Sequence, residues 1–123
     1  MAKILVVEDE PSLRKLLQYQ LSKIGHEIRV AGDGEQALAL VKSERPDLVL
    51  LDVVLPVMGG FQVLRKLQED KNTKSILVIM LSAKGQQHDI AAGLNQGVFD
   101  YITKPFNIPN LSARIDKALA SIG

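Results

Sequence analysis

The chain contains no cysteine, which excludes disulfides, thiolate metal sites and cysteine nucleophiles and makes a reducing cytoplasm its expected home. No charge of one sign dominates: 15 basic against 14 acidic residues leave a net charge of +1. Nothing in that balance favours nucleic acid or a membrane surface, so the expected partner is a protein. The N-terminus, Met1-Ala2-Lys3, runs straight into a short apolar segment, too brief for a signal-peptide core or a membrane span. There is no internal repeat, low-complexity tract or linker. With 123 residues, 46% of them hydrophobic, residues 1–123 form one expected domain with material for a core, and a second domain would not fit.

What is present is an alternation of two patterns. Ile4 to Val7, Leu48 to Leu51 and Ile76 to Leu81 are continuous apolar runs, which suit parallel strands buried on both faces. Glu27-Ile28-Arg29-Val30 alternates, as an edge strand does, and Asp100-Tyr101-Ile102 is a weaker strand candidate. Between them lie helical spacings. Leu13, Leu16, Leu17, Leu21 and Ile24 follow a helical period, with Pro11 suited to the first turn and Gly25 to the stop. Further helices are predicted around Ala37, Leu38 and Val41, around Phe61, Val63, Leu64 and Leu67, and around Ile108, Leu111, Ile115 and Leu119. The predicted fourth helix, Gln87 to Gln96, is short and diluted by alanine and glycine, and is the element most expected to move. Strand and helix alternating in this way predict a doubly wound α/β fold, a parallel sheet with helices on both faces.

In such folds ligands sit outside the carboxyl ends of the strands. Glu8-Asp9, Asp52, Ser82 and Lys104 all fall at or just past predicted strand ends. Each has an ordinary reading alone: Asp9 as a helix cap, Ser82 as a cap of the fourth helix, Lys104 as a solvated amine, Asp52 as a turn residue. Three carboxylates in one crevice are not ordinary, because like charges destabilise one another unless a cation neutralises them. Hard oxygen donors without His or Cys match Mg²⁺, with Mn²⁺ as a substitute. A carboxylate beside such an ion can accept a phosphoryl group. Asp52 is the expected nucleophile, and Lys104 the second neutraliser of phosphoryl charge.

The blocks Ile4-Leu5-Val6-Val7-Glu8-Asp9-Glu10, Leu51-Asp52-Val53-Val54-Leu55-Pro56-Val57-Met58-Gly59-Gly60, Leu81-Ser82-Ala83-Lys84 and Asp100-Tyr101-Ile102-Thr103-Lys104-Pro105-Phe106 resemble those of bacterial response-regulator receiver domains, over nearly the whole chain. The resemblance implies a five-stranded, flavodoxin-like (βα)5 fold of strand order 2-1-3-4-5, an order the general rules for doubly wound folds already illustrate with this family. It implies that Asp52 accepts a phosphoryl group from a sensor histidine kinase or histidine phosphotransfer protein, making the chain a phosphoacceptor regulator rather than an enzyme. Mg²⁺ would be held by Asp9, Asp52 and the carbonyl of Val54, with Glu8 assisting through water. Lys104, preceding a cis Pro105, would pair with the phosphate, while Ser82 and Tyr101 would rearrange and pass the change to an output face made by the fourth helix, fifth strand and fifth helix. That face would meet a downstream protein or a fused output domain.

Some positions depart from the family pattern. Phe99, Ile90 and Ala92 stand where receivers that form charge-paired dimers carry charges, although Asp89 and Arg114 remain, so a monomer or weak dimer is expected. Phe99 and Tyr101, two apart on a strand, can share a face and offer an aromatic patch beside Arg114; packing of Phe99 under the fourth helix is the plainer alternative. Val54 and Lys84 flank the path of an attacking water in this family, and neither can orient it as a general base would, which predicts slow self-dephosphorylation. Three other readings rank behind. An aspartyl-phosphate phosphohydrolase typically carries a second aspartate where Val54 stands. A flavin-binding protein would need a phosphate loop where Glu8-Asp9-Glu10-Pro11 would repel phosphate. A phosphate-independent interaction module would not need Asp52, Asp9, Ser82 and Lys104 together. Both a stand-alone regulator and the receiver of a longer protein fit the sequence.

Overall fold

In a computed structural model, which describes residues 2–83 and 97–122, the chain forms β1 (Lys3–Val7), α1 (Pro11–Lys23), β2 (Glu27–Ala31), α2 (Gly34–Glu44), β3 (Leu48–Asp52), α3 (Gly60–Glu69), β4 (Leu77–Ala83), β5 (Asp100–Lys104) and α4 (Ile108–Ala120). The last of these is the helix predicted as the fifth; the predicted fourth, Gln87 to Gln96, with Lys84, Asp89, Ile90 and Ala92, lies outside the described residues. All strand pairs are parallel, and the five-stranded sheet has the order β2-β1-β3-β4-β5. The doubly wound α/β prediction and the strand order implied by the resemblance both hold.

The apolar runs are continuous because each strand feeds two cores. Successive side chains leave a strand on opposite faces. Ile4, Val6, Leu48, Leu50, Ile79, Leu81 and Ile102 pack against Leu17 and Leu21 of α1 and Leu111 and Ile115 of α4. Leu5, Val7, Val49, Leu51, Val78 and Met80 pack on the other side against Ala37 and Val41 of α2 and Val63, Leu64 and Leu67 of α3. β2, at the edge, has the mixed burial its alternation predicts, with Ile28 buried and Glu27 exposed.

Helix starts are set by local chemistry. Asp33 caps α2 by accepting the Gln36 N–H at 2.8 Å, and Asn107 caps α4 by accepting the Asn110 N–H at 2.7 Å. At α1 the cap is Glu10, whose carboxylate accepts the N–H groups of Ser12 at 3.0 Å and Leu13 at 2.7 Å. Those bonds hold the Glu10 carboxyl below the usual range. Asp9 is therefore not the cap, and its carboxylate is left for other work. Pro11 at the first helical position was the signal, since it makes residue 10 the cap. Two members of the α1 apolar pattern are not core: Leu16 is 45% and Ile24 51% exposed.

One loop residue is strained. Val57, between β3 and α3, has φ 68°, a left-handed conformation that costs a β-branched residue about 1–3 kcal/mol. Val57→Gly should therefore raise stability by about 1 kcal/mol after the extra chain entropy of glycine is subtracted. A higher urea midpoint at unchanged slope would show it; a lower midpoint would refute the strain.

Candidate functional site

Strand parity and strand ends assemble the site. Glu8 continues the face of Ile4 and Val6, Asp52 that of Leu48 and Leu50, and Lys104 that of Ile102, so all three emerge at the carboxyl edge on the side covered by α1 and α4. Ser82 and Tyr101 have the opposite parity, with Met80 as the neighbour of Tyr101 in the β4–β5 register.

Asp52 is 6% exposed and ends β3. Its Oδ1 accepts the Val54 N–H at 3.2 Å, and its Oδ2 accepts from Lys104 Nζ at 2.7 Å. The backbone beneath it is tightly packed: a Cβ at Gly60 would collide with the Asp52 carbonyl and stand 2.9 Å from Val53 Cα. Gly60 therefore lets α3 start directly against the turn that presents Asp52. Val53 is itself tied on both sides, its N–H to the Leu81 carbonyl and its carbonyl to the Gly60 N–H, each at 2.9 Å.

Glu8 is 1% exposed. Its Oε1 accepts a second bond from Lys104 Nζ at 2.7 Å, and its Oε2 accepts the Glu10 N–H at 3.0 Å. Burial works against the charge on Lys104, but the bonds to Asp52 and Glu8 more than offset it and raise its pKa above the ordinary lysine value. Carboxylate oxygens of Glu8, Asp9 and Asp52 lie within 4.8 Å of one another. One ammonium cannot neutralise three carboxylates, and the donors are all oxygen, so this group could hold a hard divalent cation. The Lys104-Pro105 peptide is cis, as the resemblance implied.

The family profile described as the response regulator receiver domain matches residues 4–116. The chain belongs to that family. This receiver is 44% identical over 117 residues to the alkaline phosphatase synthesis transcriptional regulatory protein PhoP of Bacillus subtilis, covering 95% of this chain and 48% of PhoP. It is 41% identical over 120 residues to protein PilH of Pseudomonas aeruginosa, covering 98% of this chain and 99% of PilH. Among solved structures, the chemotaxis protein CheY4 of Vibrio cholerae superposes with a TM-score of 0.89 at 30% identity, covering 96% of this chain and 98% of CheY4. The receiver thus spans about half the length of relatives such as PhoP and nearly all of PilH. Response regulators of this kind work in two-component signalling.

The remaining predicted residues are placed as follows. Ser82 is fully buried, and among the described residues its hydroxyl has no hydrogen-bond partner; the same is true of the Tyr101 hydroxyl. Burial pushes the Tyr101 phenol up in pKa. Phe99 is 36% exposed. It precedes β5, where its N–H bonds the Val78 carbonyl at 2.9 Å. Arg114 ties α4 to β5, donating to Asp100 Oδ1 at 3.0 Å and to the Tyr101 carbonyl at 2.9 Å. Val54 is 61% exposed beside Asp52. Two features escaped the sequence reading. Arg14 donates to the Glu8 carbonyl at 2.9 Å, and Leu13, Leu16, Pro105, Phe106 and Ile108 line an apolar groove of about 390 Å³ that Lys104 also borders.

The Ser82 hydroxyl, without a partner among the described residues, makes a stability prediction. A buried, unpaired hydroxyl costs roughly 1–3 kcal/mol, so Ser82→Ala should hold or raise the stability of the unphosphorylated protein. A lower urea midpoint in Ser82→Ala at unchanged slope would refute it.

Proposed function

We infer that this receiver is a phosphoryl-accepting switch: a carboxylate oxygen of Asp52 attacks the phosphorus of a phosphohistidine on a sensor kinase or phosphotransfer protein. The P–N bond breaks, its electron pair leaves with the imidazole, and an acyl phosphate forms on Asp52. The observation that carries this reading is the buried Asp52 bonded at 2.7 Å to Lys104 beside two further carboxylates.

Asp9 and Asp52, with the Val54 carbonyl, suit Mg²⁺ (or Mn²⁺), which when bound would neutralise phosphoryl oxygens. Lys104 supplies a protein cation to the same charge, already aimed and at low solvent exposure. The phosphoryl group adds acceptor oxygens, and the Ser82 hydroxyl, unpaired among the described residues, is the donor with most to gain from them. Its movement would vacate space for Tyr101, and Arg114 and Phe99 lie where that change reaches the surface. Moving such a switch from 1:99 to 99:1 takes about 5.5 kcal/mol of differential binding, which new bonds to Ser82 and Lys104 are placed to supply. The groove between Leu13, Leu16 and Phe106, adjoining Lys104, offers the phosphodonor an apolar foothold next to the acceptor. The domain would act in the cytoplasm as a monomer or weak dimer, on a downstream protein or a linked output domain, without contacting nucleic acid itself. Among the described residues, no helix is long and apolar enough to cross a membrane.

Incubation with phosphoramidate and Mg²⁺ followed by hydroxylamine trapping tests this reading. The trapped adduct should map to Asp52 alone; no adduct, or one elsewhere, would overturn it. Because the exposed Val54 side chain cannot orient water, the purified phosphoprotein should persist for minutes or longer. Decay within seconds would contradict that assignment of Val54.

A further inference from the structure

Lys104 and Glu8 sit on strands three spacings apart in the sheet, with β3 and β4 between them, roughly 14 Å of backbone separation. The lysine chain reaches back over Asp52 to close that gap, and its ammonium ends at 2.7 Å from both carboxylates. The two carboxylates differ in freedom. Asp52 is the acceptor, and its bond to Lys104 must be surrendered as its oxygen turns to phosphorus. Glu8 has no such duty and is fixed from every side. Its second oxygen holds the Glu10 N–H at 3.0 Å, its own N–H donates to the Ala31 carbonyl at 3.0 Å, and its carbonyl accepts from Arg14 at 2.9 Å.

We propose that Glu8 is a positioning residue for Lys104, retaining the ammonium at the acceptor while Asp52 exchanges its bond to the amine for metal and phosphoryl group. This rests on the acceptor reading of Asp52 and assigns Glu8 a task other than a water-mediated metal contact. A lysine side chain released from Asp52 has many solvent-directed rotamers, and the fixed carboxylate removes most of them. Glutamate matters here through its length, since aspartate at position 8 would present its carboxylate one methylene further from β5.

The direct test is NMR of lysine ammonium groups in metal-free protein carrying Asp52→Asn. With Glu8 intact, the Lys104 ammonium signal should stay protected from solvent exchange, and adding Glu8→Gln should abolish it. Loss of the signal with Glu8 intact would overturn the proposal. The second readout separates positioning from metal ligation. In the otherwise native protein, Glu8→Asp, which keeps the charge of the acidic cluster, should slow phosphorylation by phosphoramidate about tenfold at saturating Mg²⁺, with the half-saturating Mg²⁺ within about threefold of wild type. Full rate at high Mg²⁺, with half-saturation weakened about tenfold or more, is the signature of a metal ligand and would also overturn it. If the native protein takes no phosphoryl group, the acceptor reading fails, while the ammonium signal still decides the role of Glu8.

Discussion

Asp52→Asn should end phosphoryl uptake completely while leaving the metal-free fold at least as stable as wild type. The two halves of that result have one cause. Glu8, Asp9 and Asp52 share a crevice in which their oxygens approach within 4.8 Å, and Lys104 bonds two of them. Removing the Asp52 charge relieves repulsion among the carboxylates, and Lys104 keeps Glu8 as a full counter-ion. The new amide can still accept the Val54 N–H through its oxygen, so the turn before α3 keeps its bond. A gain of up to about 1 kcal/mol in urea unfolding is the expected scale, because a buried charge cluster at a functional site is retained for function at a cost in stability. The variant should also lose most of the stabilisation that added Mg²⁺ gives wild type, since one ligand and one charge are gone. A loss of about 2 kcal/mol or more in the metal-free variant would refute this account of the crevice, and any trapped adduct in it would refute the acceptor assignment.

The residues differ in how far the sequence alone reveals them. The doubly wound fold is legible because Leu48 to Leu51 and Ile76 to Leu81 lack the alternation of a half-wet sheet, and because Leu17 and Leu21 or Leu111 and Ile115 supply the covering helices. Strand ends are equally legible, and with them the set Glu8, Asp9, Asp52, Ser82 and Lys104. The pairing within that set is less so. Parity does place Glu8, Asp52 and Lys104 on one face and Ser82 and Tyr101 on the other. It does not say that a lysine on β5 bypasses two strands to reach β1, since that depends on sheet twist and on rotamers that no spacing rule encodes. The exposure of Leu16 had the same character. A helical period identifies a face but not its width, and the rim of the α1 face here borders a groove with Phe106 and Ile108 rather than the core. The strain at Val57 left no mark at all, because the sequence around it carries proline and glycine where a relaxed turn would also have them.

Lys104→Met should have the opposite sign to Asp52→Asn in stability and the same sign in function. Without the ammonium, Glu8 at 1% and Asp52 at 6% exposure lose their common partner. Breaking a buried ion pair from one side costs about 3–5 kcal/mol. The Lys104 side chain is 25% exposed, so the lower end applies, about 3 kcal/mol. Mg²⁺ should recover part of that loss by supplying the missing positive charge, more than it stabilises wild type over the same range. Phosphorylation by a small donor should fall by about 10²–10³, the usual effect of removing a fixed charge from a transferring group. The pH dependence identifies the ammonium as the cause. Lys104 has its folded pKa raised above the ordinary 10.5, so its contribution is complete below that value and is lost as pH rises through the folded pKa. The stability gap between wild type and Lys104→Met should therefore be flat through neutral pH and close only in strong alkali. A gap that closes near neutrality, or no gap at all, would mean that Lys104 is not the counter-ion holding these two carboxylates.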